Sequence, residues 1–168
     1  MFCRPAHVMW QNIAHMELDR FDRAILKALQ EDARTTNTRL AELVHLSESA
    51  CLRRVRALET SGLIEGYTAL INQRKAGFPV NVFVNITLDR QQQAGLDAFE
   101  TAVRRVPEIM ECYLMTGEYD YLLRIVVADL ADFERIHDQH LTRLPNVTRV
   151  HSSFAVRSVR RARALPLK

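Results

Sequence analysis

The sequence predicts an α+β chain in two parts, three short helices followed by a β-α-β-β-α-β unit. Three observations carry this. Helical apolar spacing with cap residues recurs in ELDRFDRAILKALQED, TNTRLAELV and LSESACLRRVRALETSG. The segment NQRKAGFP then interrupts every period. After it, four stretches of strand-like character enclose two helical ones. At 168 residues, 48% of them hydrophobic, the chain can bury one ordinary core or two small ones.

Residues 1–16 show neither period, so the first element begins after Met16, and Met16 is the expected biological start. From Asp19, a cap, Phe21, Ala24, Ile25, Ala28 and Leu29 form one stripe of a helix. A second helix, capped at Thr36, has Leu40, Leu43 and Val44 as its apolar face. It ends at His45, where a left-handed residue is expected although Gly or Asn would be easier there. Ser47 caps a third helix that ends at Gly62. LIEGYTALI, apolar and broken by Gly66, reads as a strand or small hairpin packed on the helices.

The domain scheme is an extension over 1–16, a helical domain over 17–71, a linker over 72–79, an α/β domain over 80–157 and a basic tail over 158–168. In the α/β domain VNVFVNITL, EIMECYLM, YDYLLRIVV and VTRVHSSFAV are the strands. LDAFETAVRRV, with Leu96, Phe99, Val103 and Val106 on one face, and residues 130–144 are the helices. This order is the ferredoxin-like βαββαβ sandwich, both helices on one face of an antiparallel sheet. Residues 121–127 are apolar on both sides in places, so the helix-free face is expected to pack on a second subunit, giving a homodimer.

No window approaches the ~18 apolar residues of a membrane span and the N-terminus lacks a secretory apolar core, so no membrane partner is expected and the cytoplasm is the expected location. Cys3, Cys51 and Cys112 are odd in number with no short spacing, against a disulfide framework or a cysteine zinc site. The net charge of +3 is local: Arg157, Arg160, Arg161, Arg163 and Lys168 end the chain without an acid. His137 and His140 fall on the inward side of their helix without a third ligand, so packing, not metal, is expected of them, and His151 has no evident partner. No Ser-His-Asp set, paired acid and base, or phosphate-cradling Gly loop stands out, so neither catalysis nor a metal or redox cofactor is expected.

Two short helices joined by a tight turn, the second Ser-capped and arginine-rich, fit a helix-turn-helix whose second helix enters the major groove of duplex DNA. The following short strand makes it a winged helix-turn-helix. At 100° per residue, Cys51, Val55 and Leu58 share the buried face, flanked by Leu52. Ser49, Arg53 and Arg56 share the opposite one, with Arg54 at its edge. Arginine's planar fork suits both guanine and phosphate. The DNA-contacting residues expected are Ser47, Ser49, Arg53, Arg54 and Arg56.

These segments, followed in order by ECYLMTGEYDYLLRIVVADL and LTRLPNVTRVHSSFAV, resemble the leucine-responsive and asparagine-responsive (Lrp/AsnC) transcriptional regulators from Glu17 onward. That family usually has Gly where this chain has His45, and Ser-Pro-Thr-Pro-Cys where it has Ser47, Glu48, Ser49, Ala50 and Cys51. The loss of both prolines alters the entry of the third helix. Glu48 places a negative charge near DNA phosphates while suiting a helix N-terminus. The preferred operator is therefore expected to differ from the family's usual one.

The resemblance implies a regulator of amino-acid metabolism genes that binds operator DNA, forms dimers that assemble into octamers, and senses a small amino acid between dimers. It places the effector at the turn of Met115, Thr116, Gly117, Glu118, Tyr119 and Asp120, with Leu130, Ser153, Phe154 and Ala155 nearby. Main-chain amides of the turn would hold the effector's carboxylate, and Asp120 its ammonium. A branched-chain residue is compatible with Met115 and Leu130. The competing reading is a metabolic enzyme or ligand-binding subunit with a helical interaction module.

Overall fold

A computed structural model describes residues 17–89, 92–162 and 164–167. The expected extension over 1–16, the start at Met16 and Cys3 lie outside them. The described residues fall into two compact units, one drawn from 1–68 and 161–168, the other from 69–160.

The first unit holds α1 (Arg20–Glu31), α2 (Asn37–Val44) and α3 (Glu48–Thr60). Each begins at an oxygen-bearing cap that satisfies an otherwise orphan main-chain N–H. Asp19 accepts from Phe21 N at 2.8 Å and Asp22 N at 2.9 Å, while Asp22 accepts from Asp19 N at 3.3 Å, a capping box. Thr36 accepts from Arg39 N and Ser47 from Ala50 N, both at 3.3 Å. His45 closes α2 in the left-handed region at φ 56°, ψ 47°. Ile25, Leu26, Leu40, Ala41, Val44, Cys51 and Leu58 form the core. Leu43, expected inside, is 48% exposed, and Ala41 is buried instead. A helix of only eight residues takes its buried stripe from its neighbours, and the small Ala41 allows close approach.

LIEGYTALI forms no strand; Ile64 packs on the helical core and Tyr67 Oη donates to Glu59 Oε1 at 2.9 Å, but Leu70 and Ile71 are exposed. A strand needs an edge to pair with, and among the described residues this segment pairs with none, so the expected wing is an unpaired stretch. Residues 72–79 are a hydrogen-bonded turn: Ala76 N donates to Asn72 O at 2.9 Å, and Gln73 Nε2 to Phe78 O at 2.7 Å.

The second unit runs β1 (Val80–Leu88), α4 (Gln93–Val103), β2 (Ile109–Leu114), β3 (Tyr121–Val127), α5 (Leu130–Gln139) and β4 (Val147–Phe154). Its sheet is antiparallel in the order β2-β3-β1-β4. Val82, Val84, Ile86 and Leu88 of β1 and Tyr121, Leu123, Ile125 and Val127 of β3 join Phe99, Val103, Phe133 and Ile136 from the helices in one core. The second helix is shorter than expected. It stops at Gln139, and a 3-10 turn, Leu141–Arg143, follows His140, whose φ of −123° leaves the helix.

The alternate residues of β1, β2 and β3 are not uniformly apolar. Phe83 and Leu122 flank a polar chain in which Arg124 Nε donates to Glu111 Oε1 at 2.8 Å, Arg124 Nη1 to Asn81 Oδ1 at 3.1 Å, and Tyr113 Oη to Glu111 Oε2 at 3.1 Å. Cys51 and Cys112 are free thiols; burial raises Cys51 above its usual range and, with Glu100 nearby, pushes Cys112 up to about 12.

Candidate nucleic-acid interface and effector site

The Ser47 cap starts α3 and the left-handed His45 turns the chain into it, so the exposed side of α3 is set by local geometry. Ser47, Ser49, Arg53 and Arg56 are all exposed, while Cys51 and Leu58 on the other side are 0% and 1% exposed. Arg54 behaves differently. Its Nη1 lies 2.8 Å from Asp19 Oδ2 and 2.8 Å from Asp22 Oδ1, and its guanidinium sits 5.3 Å from the Phe21 ring centroid. The guanidinium, expected at the edge of the DNA-facing row, is thus engaged by the start of α1. The contact with Asp22, with further pairing to Asp19, holds Arg54 more firmly charged. Sequence reasoning missed this tie because a capping box gives no sign of its tertiary partner.

In the second unit the turn between β2 and β3 is closed by Met115 N donating to Asp120 O at 2.8 Å. Gly117 adopts φ 128°, which a side chain would oppose. Met115, Thr116, Gly117 and Glu118 are exposed and Tyr119 is half-buried, its ring stacked on His151 at 6.4 Å between centroids and 11° between planes. That stack gives His151 the partner the sequence did not reveal. Asp120 is only 8% exposed. Its Oδ2 accepts from Leu88 N at 2.7 Å and its own N–H donates to Ile86 O at 2.9 Å, so it welds the turn to the end of β1.

The remaining expected effector residues are elsewhere. Register pairs Tyr121 with Ile86, but Val127 with Val80 and Phe154 with Val82. The turn therefore stands at the Leu88 end of β1. Leu130, Phe154 and Ala155 stand at the Val80 end, where Ala155 N donates to Asn81 O at 3.0 Å. From Val82 to Ile86 alone is ~13 Å at ~3.3 Å per residue. Phe154 packs edge-on against Phe133 at 5.1 Å, and Leu130 is 59% exposed. Ser153 pairs with Phe83, one residue further in. One subunit does not bring the two groups together.

His137 lies 6.0 Å ring to ring from Phe133 and 3.2 Å from Asp138 Oδ1. Among the described residues no group of three His, Cys, Asp or Glu side chains is placed to hold a metal ion, and no helix is long and apolar enough to cross a membrane.

A family model for the AsnC-type helix-turn-helix domain matches residues 18–59, and one for the Lrp/AsnC ligand binding domain matches 81–165. The leucine-responsive regulatory protein of Escherichia coli is 41% identical over 152 residues, 90% of this chain and 93% of that protein. An uncharacterised HTH-type transcriptional regulator of Sinorhizobium fredii is 53% identical over 116 residues, 69% of this chain and 91% of that one. Among solved structures, a Neisseria meningitidis transcriptional regulator in complex with L-Met is 34% identical with a TM-score of 0.84, covering 89% of this chain and 96% of that one. An AsnC family regulator of Agrobacterium tumefaciens is 36% identical with a TM-score of 0.85, covering 89% and 97%. With both domains matched in order and the folds superposable nearly end to end, the chain belongs to the Lrp/AsnC family of helix-turn-helix transcriptional regulators, whose second domain binds an amino-acid ligand.

Proposed function

We propose that this regulator docks α3 in the major groove of duplex operator DNA through Ser47, Ser49, Arg53 and Arg56, and answers to a small amino acid held between subunits. Arg54 serves as the brace that orients α3 on α1. Two such units in a homodimer would meet half-sites about 10 base pairs, or a multiple, apart. The dimer forms through the helix-free sheet face, where Phe83 and Leu122 supply apolar area around the Arg124–Glu111 pair. Assembly beyond the dimer, to octamers as in the family it resembles, would bring the turn at residues 115–120 of one subunit to Leu130 and residues 153–155 of another. The observation that supports this is the separation of those two groups along the sheet, as a site completed by a second subunit requires.

At the turn, exposed main-chain N–H groups would take the effector's carboxylate, with Asp120 as a positioning residue behind them. An apolar effector fits Met115 and Leu130, a branched-chain residue being compatible with both, and the meningococcal relative's L-Met complex supports a small amino acid. The protein acts in the cytoplasm on amino-acid metabolism genes, as a regulator and not as an enzyme.

Gel-shift titration with the chain's own upstream region tests the DNA face. Arg53→Ala and Arg56→Ala are expected each to weaken binding by about 10- to 100-fold, the worth of a good bidentate base contact, and indifference to both would defeat the assignment. Thermal shift against the twenty amino acids tests the effector site. Asp120→Asn, which can still accept from Leu88 N, is expected to keep the ligand shift. A well-folded Asn variant without it would make the carboxylate itself the ammonium partner.

A further inference from the structure

We infer that the basic end of the chain, held to α1 through Leu165 and packed on the helical core through Leu167, adds phosphate-backbone contacts to the DNA interface as a basic strap; the inference rests on the DNA-binding reading above. Residues 17–68, which contain the whole helix-turn-helix, hold eight Arg and Lys against nine Asp and Glu, a net of −1. Residues 69–160 balance eleven of each. Duplex DNA carries one negative charge per ~1.7 Å, and affinity for it comes largely from cations that displace its counterions. The helical unit is short of them, the more so because Arg54 is engaged by Asp19 and Asp22 and Arg39 by Glu42.

The end of the chain supplies the missing charge. Arg161, Arg163 and Lys168 stand there without an acid, which turns the −1 of residues 17–68 into +2. The segment is also held. Leu165 N donates to Gln30 Oε1 at 2.5 Å, Gln30 Nε2 donates to Leu165 O at 3.4 Å, and Leu167 is half-buried against the core that contains Ile25 and Leu26. A side-chain amide clasping a main-chain amide, with an apolar side chain sunk beyond it, fixes the path of a segment that would otherwise be ordered only on binding. Arg161, exposed, lies four residues from that clasp. The occupant this charge fits is the phosphate backbone of the duplex that α3 reads.

Fluorescence-anisotropy titration of the full chain on its upstream duplex, across a series of KCl concentrations, tests the strap. In Arg161→Ala/Arg163→Ala/Lys168→Ala the slope of log affinity against log salt is expected to become shallower by about 0.9 for each phosphate no longer neutralised. Preference for the operator over random duplex, which depends on Arg53 and Arg56, should persist. Leu167→Ser keeps every charge but frees the anchor, and should weaken binding while circular dichroism shows the helices retained. A triple variant matching the wild type in slope and affinity would overturn the strap, as would a Leu167→Ser variant of unchanged affinity. A wild type that binds no duplex would overturn both the DNA-binding reading and the strap.

Discussion

The helical unit carries its expected DNA-contacting residues on the outside of a small core, whereas the sheet unit carries its expected effector residues toward the two ends of a larger one. Among the described residues, seven buried side chains hold α1, α2 and α3 together, against fourteen between the sheet and its helices. Position in the first unit comes from neighbours in sequence: three caps and one left-handed residue decide which way Arg53 and Arg56 point. Position in the second comes from register, so residues far apart in the chain, such as Leu88 and Asp120, meet, and residues all expected at one site are sent to opposite ends. Local encoding tolerates surface change, and register encoding depends on the core.

The largest expected effect follows from that contrast. Phe99 is 0% exposed, and its ring lies 4.4 Å from that of Tyr121. Phe99→Ala should cost about 3–5 kcal/mol, transfer and cavity together. Leu58→Ala, in the smaller helical core where three short helices can close on the space, should fall near the lower end of the ~2–5 kcal/mol range for such changes. Urea unfolding of both variants measures this. A greater loss at Leu58 than at Phe99 would break the comparison.

The next effect concerns the brace. Arg54→Ala leaves Asp22, whose side chain is 15% exposed, without its cation. The cost should be about 1–2 kcal/mol, between the ~0–1 of exposed pairs and the ~3–5 of breaking a buried one. The same variant sharpens the pH dependence. The Asp22 main-chain N–H, ahead of the Arg54 guanidinium and the Phe21 N–H, holds the Asp19 carboxyl below its usual range. Its folded value lies below its unfolded one, so its stabilisation is complete above the unfolded value, near pH ~4, and fades as pH falls through the folded value. Melting temperatures taken from about pH 6 down to about pH 3 should fall more gradually for Arg54→Ala than for the wild type. Parallel curves would remove Arg54 from the acid response.

The same division explains what was legible in the sequence. Caps at Asp19, Thr36 and Ser47, the left-handed His45 and the split of α3 into a buried and an exposed face were all readable, because each depends on residues within one helical turn. The order of strands and helices was readable from periodicity. Arg54 was misplaced because its acids lie on another helix, and Leu43 because three residues cannot define the stripe of a short helix. LIEGYTALI has the composition of a strand, but pairing is a property of two segments. The effector residues were named through family resemblance, and only register shows that they stand at both ends of the sheet.

The smallest effect tests how far local encoding alone sets the geometry of the helix-turn-helix. His45 sits at φ 56°, where its N–H donates to Glu42 O at 3.2 Å and the next N–H, of Leu46, to Ala41 O at 3.0 Å. These bonds need only a left-handed residue, not an imidazole. A side chain in that conformation costs about 1–2 kcal/mol. Glycine removes that cost but loses about 0.5–1 kcal/mol more in backbone entropy on folding. His45→Gly should therefore stabilise the helical unit by roughly 0.5–1 kcal/mol from these two terms, seen as a melting temperature raised by a few degrees. Because the turn keeps its path, α3 keeps its angle and operator affinity should not move. A variant that gains stability but loses affinity would mean that the imidazole itself takes part in positioning α3 on DNA, and the turn would then carry function as well as geometry.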